Sequence, residues 1–398
     1  MDTSPVDLTA TERSRVAAPL AHAWTLPPRM YTSPSVFARE RQAIFAQDWL
    51  CVARVEQLPD AGDHLNIDVL DQPMVLARRT EGDIVALSNV CLHRAMPLID
   101  QPGSGRYLTC PYHLWSYDLD GALRTAPLME GVEHFDTEAC RLPRFAVEVW
   151  EGFVFVSMRP DPAPLGPQLA GLQEHLANYR FADLAIATTI EFDSPWNWKI
   201  LVENFMEAYH HIGPHRETFQ PEHPASASTV EDNGGAPWAL LRMPGTNRDE
   251  PIDARGDPVD DDPIDRGVVG DDADELLPPL PGLSTDQRHE LLAGVVFPTF
   301  LFAATGTAGV WYQLDVASHD RMSLRIHYLL PPEVAARPAV QEALPFIAEA
   351  LGHIHEEDIR VNEGPWRGLH APSATQGRLS TYEAAIWQLN QWWLSRID

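Results

Sequence analysis

The sequence predicts an α+β protein of two domains. Between about residue 50 and residue 160, short strand-like runs alternate with frequent turn signals, the pattern of a small β-sandwich. Strand-like runs return after residue 290, and two helical stretches close the chain. Each half also gathers histidine with cysteine or acidic residues at one place, which points to two sites of chemistry.

Taken in order, residues 1–50 read as a helical arm. Within it, residues 33–49 form an amphipathic helix whose apolar positions are Phe37, Ile44, Phe45 and Trp49. Residues 51–160 form the first domain, with strands expected over 64–70, 74–78, 84–88 and 145–157. The second domain, 161–398, opens with a helix over 165–179 and a strand at 190–192, and a helix over 197–211 follows. Residues 216–288 are rich in Asp, Gly and Pro, most densely at 257–263, and read as a loop-rich acidic insertion with little apolar surface to bury. Strands are expected over 294–303, 310–316 and 322–330, then helices over 339–362 and 381–397. Residues 291–311 carry no charge and are long enough to span a bilayer, but Pro298, Gly306 and Gly309 interrupt them. Two buried strands joined near Gly306 are expected instead.

The 398 residues suffice for two domains and a substantial core. A formal charge of −28 argues against nucleic acid or an anionic membrane as partner. The N-terminus, with Asp2, Asp7, Glu12 and Arg13, has no uninterrupted apolar stretch, so no signal peptide is expected. Of four cysteines, Cys51 and Cys140 read as buried thiols. No disulfide framework is implied, which fits a cytoplasmic protein. Lys199 is the single lysine.

Cys91-x-His93 is followed, sixteen residues on, by Cys110-x-x-His113. A zinc site usually pairs Cys with Cys and His with His. Here each loop carries one of each, which suits a [2Fe–2S] cluster with both thiolates on one iron and both imidazoles on the other. Downstream, Glu207-x-x-His210-x-x-x-x-His215 sits on the helix expected over 197–211, with Glu207 and His210 on one face. Gly213-Pro214 should end the helix, so that His215 curls back beside His210. Two imidazoles and one distant carboxylate make the facial triad of non-haem Fe(II) oxygenases. His211 reads as a packing residue, and His353 and His355 as solvated helix residues.

The segment Cys110-Pro111-Tyr112-His113-Leu114-Trp115 resembles the cluster-binding domain of Rieske non-haem iron oxygenase α subunits, with Leu114 replacing a usual glycine. Trp198-Lys199, Glu203-Asn204-Phe205 and the Glu207/His210/His215 motif resemble their catalytic domain. The resemblance implies a Rieske β-sandwich followed by a helix-grip domain, an antiparallel sheet wrapped on a long helix. It implies His210 and His215 as iron ligands and Glu207 as an acidic bridge to a cluster histidine of the neighbouring subunit. The segment His355-Glu356-Glu357-Asp358 resembles the family's Glu-Asp segment, which carries the third ligand to Asp358; Glu356 and Glu357 compete for that place. Trp366 departs from a usual glutamine.

The resemblance further implies a terminal oxygenase that works with mononuclear Fe(II), with electrons from NADH or NADPH through a separate flavin/iron–sulfur reductase or a ferredoxin. No dinucleotide fingerprint lies in this chain. A head-to-tail homotrimer is expected by analogy with the family. Glu207 in place of the commoner Asp points first to a quaternary ammonium substrate of betaine, choline or carnitine type, hydroxylated or N-dealkylated. An aromatic-acid hydroxylase or ring dioxygenase stands second. Trp238 and Trp311 are candidate walls for a bound cation, with core packing the plainer role. Two readings of other classes are a Rieske electron carrier without catalysis, which leaves the second motif idle, and a zinc-stapled binding module.

Overall fold

The computed structural model describes residues 7–246 and 276–397. It divides into two compact units, one of residues 45–165 and one combining residues up to Ile44 with those from Gly166 onward. The arm expected over 1–50 therefore contributes its residues as far as Ile44 to the larger unit. The expected helix over 33–49 is an α-helix, Pro34–Glu40, N-capped by the Ser33 hydroxyl and continued by a π-turn, Arg41–Phe45.

The smaller unit contains a seven-stranded sheet. Its strands are β1 Leu50–Arg54, β2 Asp63–Val69, β3 Gln72–Arg78, β4 Ile84–Ser88, β5 Gly103–Ser104, β9 Arg144–Trp150 and β10 Phe153–Ser157, in the order β1-β10-β9-β4-β3-β2-β5. A three-stranded sheet, β6 Tyr107–Thr109, β7 Ser116–Asp118 and β8 Leu123–Thr125, carries the second cysteine loop. The expected single run over 145–157 is a hairpin of β9 and β10. Glu151 and Gly152 turn it in the left-handed region, at φ 49° and 80°. One core joins the inward residues of the two sheets. It includes Val75, Val85, Leu87, Leu108, Trp115, Tyr117 and both motif cysteines. Burying each large apolar side chain there stabilises the unit by about 1.5–3 kcal/mol.

In the larger unit seven strands form one antiparallel sheet, ordered β11-β17-β16-β15-β14-β13-β12. They are β11 Ala185–Ser194, β12 Thr229–Val230, β13 Trp238–Pro244, β14 Glu290–Val296, β15 Phe300–Ala304, β16 Gly309–Ser318 and β17 Arg321–Leu330. The 32-residue helix α2, Pro338–Leu369, packs on β11 and on α1, Trp198–Phe205, while α3, Ala384–Ile397, lies on β13.

Several expectations change here. The helix over 165–179 is two short pieces, Leu165–Gln168 and Ala170–Leu176. The stretch 216–288 is not all loop, for it supplies β12 and β13, and β13 pairs along its whole length with β14. Its Ala-Leu-Leu centre is buried, which the surrounding Asp, Gly and Pro masked in composition. The acidic run at 257–263 lies outside the described residues. The uncharged stretch 291–311 holds most of β14, all of β15 and the start of β16, so it turns twice rather than once. Among the described residues no helix is long and apolar enough to cross a membrane.

Candidate metal centres

The two cysteine loops of the smaller unit share one geometry. The N–H of Cys91 donates to the Met96 carbonyl, and that of Cys110 to Trp115, at 2.9 and 2.8 Å. Four residues after each cysteine the chain turns through the left-handed region, at Ala95 (φ 54°) and Leu114 (φ 59°), and the N–H there donates back to the cysteine carbonyl. Leu114 thus adopts the backbone that glycine would take without strain, and points its side chain to solvent at 60% exposure. The glycine-to-leucine departure leaves the loop in register.

Both cysteines are buried and free, and the His93 and His113 rings lie 4.6 Å apart between centroids. Trp115 stacks on His93 at 4.9 Å. Among the described residues, the buried His113 Nδ1 has no hydrogen-bond partner, an orphan that a metal bond would satisfy. Tyr117 accepts from the Leu92 N–H at 3.1 Å, which leaves its own proton directed at Cys91 Sγ, 3.4 Å away. Two thiols, two imidazoles and an orphaned ring nitrogen at one place fit a [2Fe–2S] centre of mixed ligation. Cys51 and Cys140 are free, partly buried thiols, Cys140 packed against the core that holds Cys91 and Cys110, and burial raises the Cys51 thiol well above its usual range.

In the larger unit the expected helix over 197–211 stops at Phe205. His210 instead lies in a separate 3₁₀ turn, Tyr209–Ile212, so Glu207 and His210 do not share an α-helical face. Glu207 lies just before that turn and holds His210 at two points. One carboxylate oxygen accepts the His210 backbone N–H at 2.9 Å, and the other accepts His210 Nδ1–H at 2.6 Å. His215 returns to within 5.0 Å of His210, ring to ring. From α2, Asp358 Oδ1 reaches His215 Nε2 at 2.9 Å and His210 Nε2 at 3.5 Å. Ligand atoms of His210, His215 and Asp358 all lie within 4.8 Å of one another.

Their electrostatics suit a divalent cation. Burial opposes the charged form of His210, but Asp358 and Glu207 outweigh it and raise its pKa to about 10. Burial likewise acts against the Asp358 carboxylate, and the two imidazoles hold it far below the usual range. Because each Nδ1 donates to a carboxylate, both Nε2 atoms face the shared point beside Asp358. The donor set of two nitrogens and one oxygen is that of a facial triad.

The remaining candidate residues take up a variety of places. Glu357, weighed as a rival ligand, accepts His215 Nδ1–H at 2.7 Å and the Thr218 hydroxyl at 2.9 Å. His355 is buried rather than solvated, its ring 4.4 Å from Phe192, and burial lowers its pKa to about 4. His211 is a packing residue, with Nδ1 on the His223 carbonyl and its ring stacked on Phe219. Trp311 stacks on His327, opposite it on β17, and Trp238 lies against His175 and Gly171. Trp311 therefore faces away from its neighbour Tyr312, whose ring meets Phe205 at 4.7 Å and whose hydroxyl feels the Asp358 charge. Trp366 packs on His370 one turn along its helix. Tyr312 and Thr218 were missed because nothing in their own segments marks them.

Comparison with known proteins places these sites in a family. The Rieske [2Fe-2S] domain matches residues 48–136, and the ring hydroxylating alpha subunit (catalytic domain) matches residues 181–398. The chain belongs to the ring-hydroxylating α-subunit family. It is similar to the carnitine monooxygenase oxygenase subunit of Acinetobacter baumannii, with 36% identity over 212 residues, 52% of this chain and 55% of that protein. To the glycine betaine monooxygenase oxygenase subunit of Chromohalobacter salexigens it is 34% identical over 242 residues, 56% of this chain and 54% of that one. The chain thus spans about half the length of the curated relatives it matches. A solved quaternary ammonium Rieske monooxygenase, described for carnitine oxidation by gut microbiota and inter-subunit electron transfer, is 26% identical. It superposes with a TM-score of 0.75 over 93% of this chain and 95% of its own. Naphthalene 1,2-dioxygenase, at 16% identity and a TM-score of 0.74 over 94% and 92% of the two chains, shares the fold.

Proposed function

We propose that this α subunit is the terminal oxygenase of a multicomponent system, inserting oxygen into a small quaternary ammonium compound of carnitine, betaine or choline type. The observation that carries the reading is the convergence of His210, His215 and Asp358, in a chain that also brings Cys91, His93, Cys110 and His113 together. An electron carrier would need only the second set, and a zinc-stapled module would need neither the first set nor the mixed pairing.

In this reading Cys91 and Cys110 hold one iron of the cluster and His93 and His113 the other, while His210, His215 and Asp358 hold a mononuclear Fe(II). Held there, the cluster would supply single electrons and the mononuclear iron would supply dioxygen activation. The chain's residues prepare the site for this. Glu207 orients His210 through Nδ1, and buried packing around His215 keeps water from that side of the triad. We assign Glu207 a second role, linking His210 to a cluster histidine of the neighbouring subunit in a head-to-tail homotrimer. A separate reductase, drawing on NADH or NADPH, would complete the electron supply.

For the substrate, the 34–36% identity to carnitine and glycine betaine oxygenase subunits supports a cationic head group. The test is a panel of carnitine, glycine betaine, choline, benzoate and naphthalene, with a reductase and NADH, followed by formaldehyde release and product analysis. Turnover confined to the ammonium compounds is expected. Turnover of the arenes alone would replace the assignment by a ring dioxygenase.

A further inference from the structure

The Glu357–His215–Thr218 contacts are left unused by the triad. Successive residues on a helix point about 100° apart, yet Glu357 and Asp358 both reach His215. Asp358 meets the Nε2 edge at 2.9 Å, and Glu357 meets the Nδ1 edge at 2.7 Å. Two consecutive carboxylates of α2 therefore clasp opposite edges of one imidazole. Glu357 is itself held, since the Thr218 hydroxyl donates to the oxygen that takes the His215 proton. The His215 side chain is only 1% exposed, so little water can replace these contacts. His210 has the matching arrangement, with Glu207 on Nδ1 and Asp358 beyond Nε2.

We infer that Glu357 is a positioning residue for the mononuclear metal site: by accepting the Nδ1 proton of His215 it fixes the ring with Nε2 toward the metal. Glu357 and Thr218 thereby set metal affinity without touching the metal. The inference rests on the proposed ligand set of His210, His215 and Asp358. Its physical basis has three parts. Of the two neutral tautomers, only the one protonated at Nδ1 offers Nε2 to a cation, and a carboxylate at 2.7 Å selects it. The negative charge makes Nε2 a better electron donor. It also anchors the ring, which lowers the entropy lost on binding. Carboxylates placed in this way behind ligating histidines are worth about 10–100-fold in metal affinity.

The experiment uses the full-length protein with its cluster intact and its mononuclear metal removed by chelation. Fe(II), added without oxygen, is titrated into wild type, Glu357→Gln, Glu357→Ala, Thr218→Val and Asp358→Ala. Unchanged cluster spectra and melting midpoints establish that each variant is folded. Asp358→Ala should lose stoichiometric binding. Glu357→Gln should bind about 10–100-fold more weakly, Glu357→Ala more weakly still, and Thr218→Val should fall between wild type and Glu357→Gln. In Co(II)-loaded protein, wild type should show two slowly exchanging, hyperfine-shifted ring N–H resonances, and Glu357→Ala only one. Wild-type affinity in Glu357→Gln, or both resonances in Glu357→Ala, would overturn the inference and leave the ligand set standing. Binding lost in Glu357→Ala but kept in Asp358→Ala would overturn the ligand set itself and make Glu357 the third ligand.

Discussion

The single lysine offers a stringent test of how the larger unit is held together. Lys199 Nζ lies 2.6 Å from Glu40 Oε1, and both side chains are fully buried. Glu40 also accepts from two indoles, Trp393 Nε1 at 2.7 Å and Trp198 Nε1 at 3.1 Å. Burial pulls the lysine below its usual range, and Glu40 draws it back. Lys199→Met keeps most of the volume and removes the charge, leaving a carboxylate in the core with only the indoles to compensate. Breaking a buried pair on one side costs about 3–5 kcal/mol. Two indole donors remain, so the lower end, about 3 kcal/mol, is expected. At about 2 °C per kcal/mol for a unit of this size, the thermal midpoint should fall by about 6 °C, followed by tryptophan fluorescence, which Trp198 and Trp393 make sensitive to this site. Adding Glu40→Gln removes the stranded charge while keeping an acceptor for an indole, and should recover about 2 kcal/mol. A single variant within 1 kcal/mol of wild type, or a double variant no better than the single, would refute this account.

Glu203 gives a pH prediction. Loss of hydration raises its pKa to about 7, against the Tyr31 hydroxyl, which donates to it at 2.7 Å, and the Lys199 charge. Its folded pKa exceeds its unfolded one, so the folded state binds the extra proton and stability contributed by this group is lost as pH rises through about 7. Glu203→Gln should flatten the decline in melting midpoint between about pH 4.5 and 7, and an unchanged slope would exclude Glu203 as its source. Leu114→Gly relieves a left-handed leucine and should stabilise the smaller unit by about 0.5–1 kcal/mol after the entropy of the new glycine is counted, read from the temperature at which cluster absorbance bleaches. Tyr117→Phe removes the hydrogen bond to Cys91 Sγ and should lower the cluster potential. A bond worth about 1 kcal/mol corresponds to about 40 mV for one electron, measurable by spectroelectrochemical titration; no shift would mean that the hydroxyl proton points elsewhere.

The candidate residues of both sites were legible in the sequence where residue type and short spacing mark them. Mixed Cys/His pairing distinguished an iron–sulfur centre from zinc, and Glu-x-x-His-x-x-x-x-His with Gly213-Pro214 set His215 beside His210. Strands with a clear apolar run, such as β4 and β17, were legible for the same local reason. What needed the tertiary structure was the role of groups whose neighbours are remote in sequence. Asp358 and Glu357 are adjacent carboxylates that the sequence left as rivals. Only the approach of α2 to a residue more than 140 positions earlier puts one on Nε2 and the other on Nδ1. His355 looked solvated because its helix is rich in charge, and it is buried because Phe192 of β11 closes over it. The strand β13 hid inside an acidic stretch, since its pairing energy comes from β14, dozens of residues on. Propensity and spacing act over a few residues, whereas burial and hydrogen-bond partnership are settled between elements that meet only when the chain has folded.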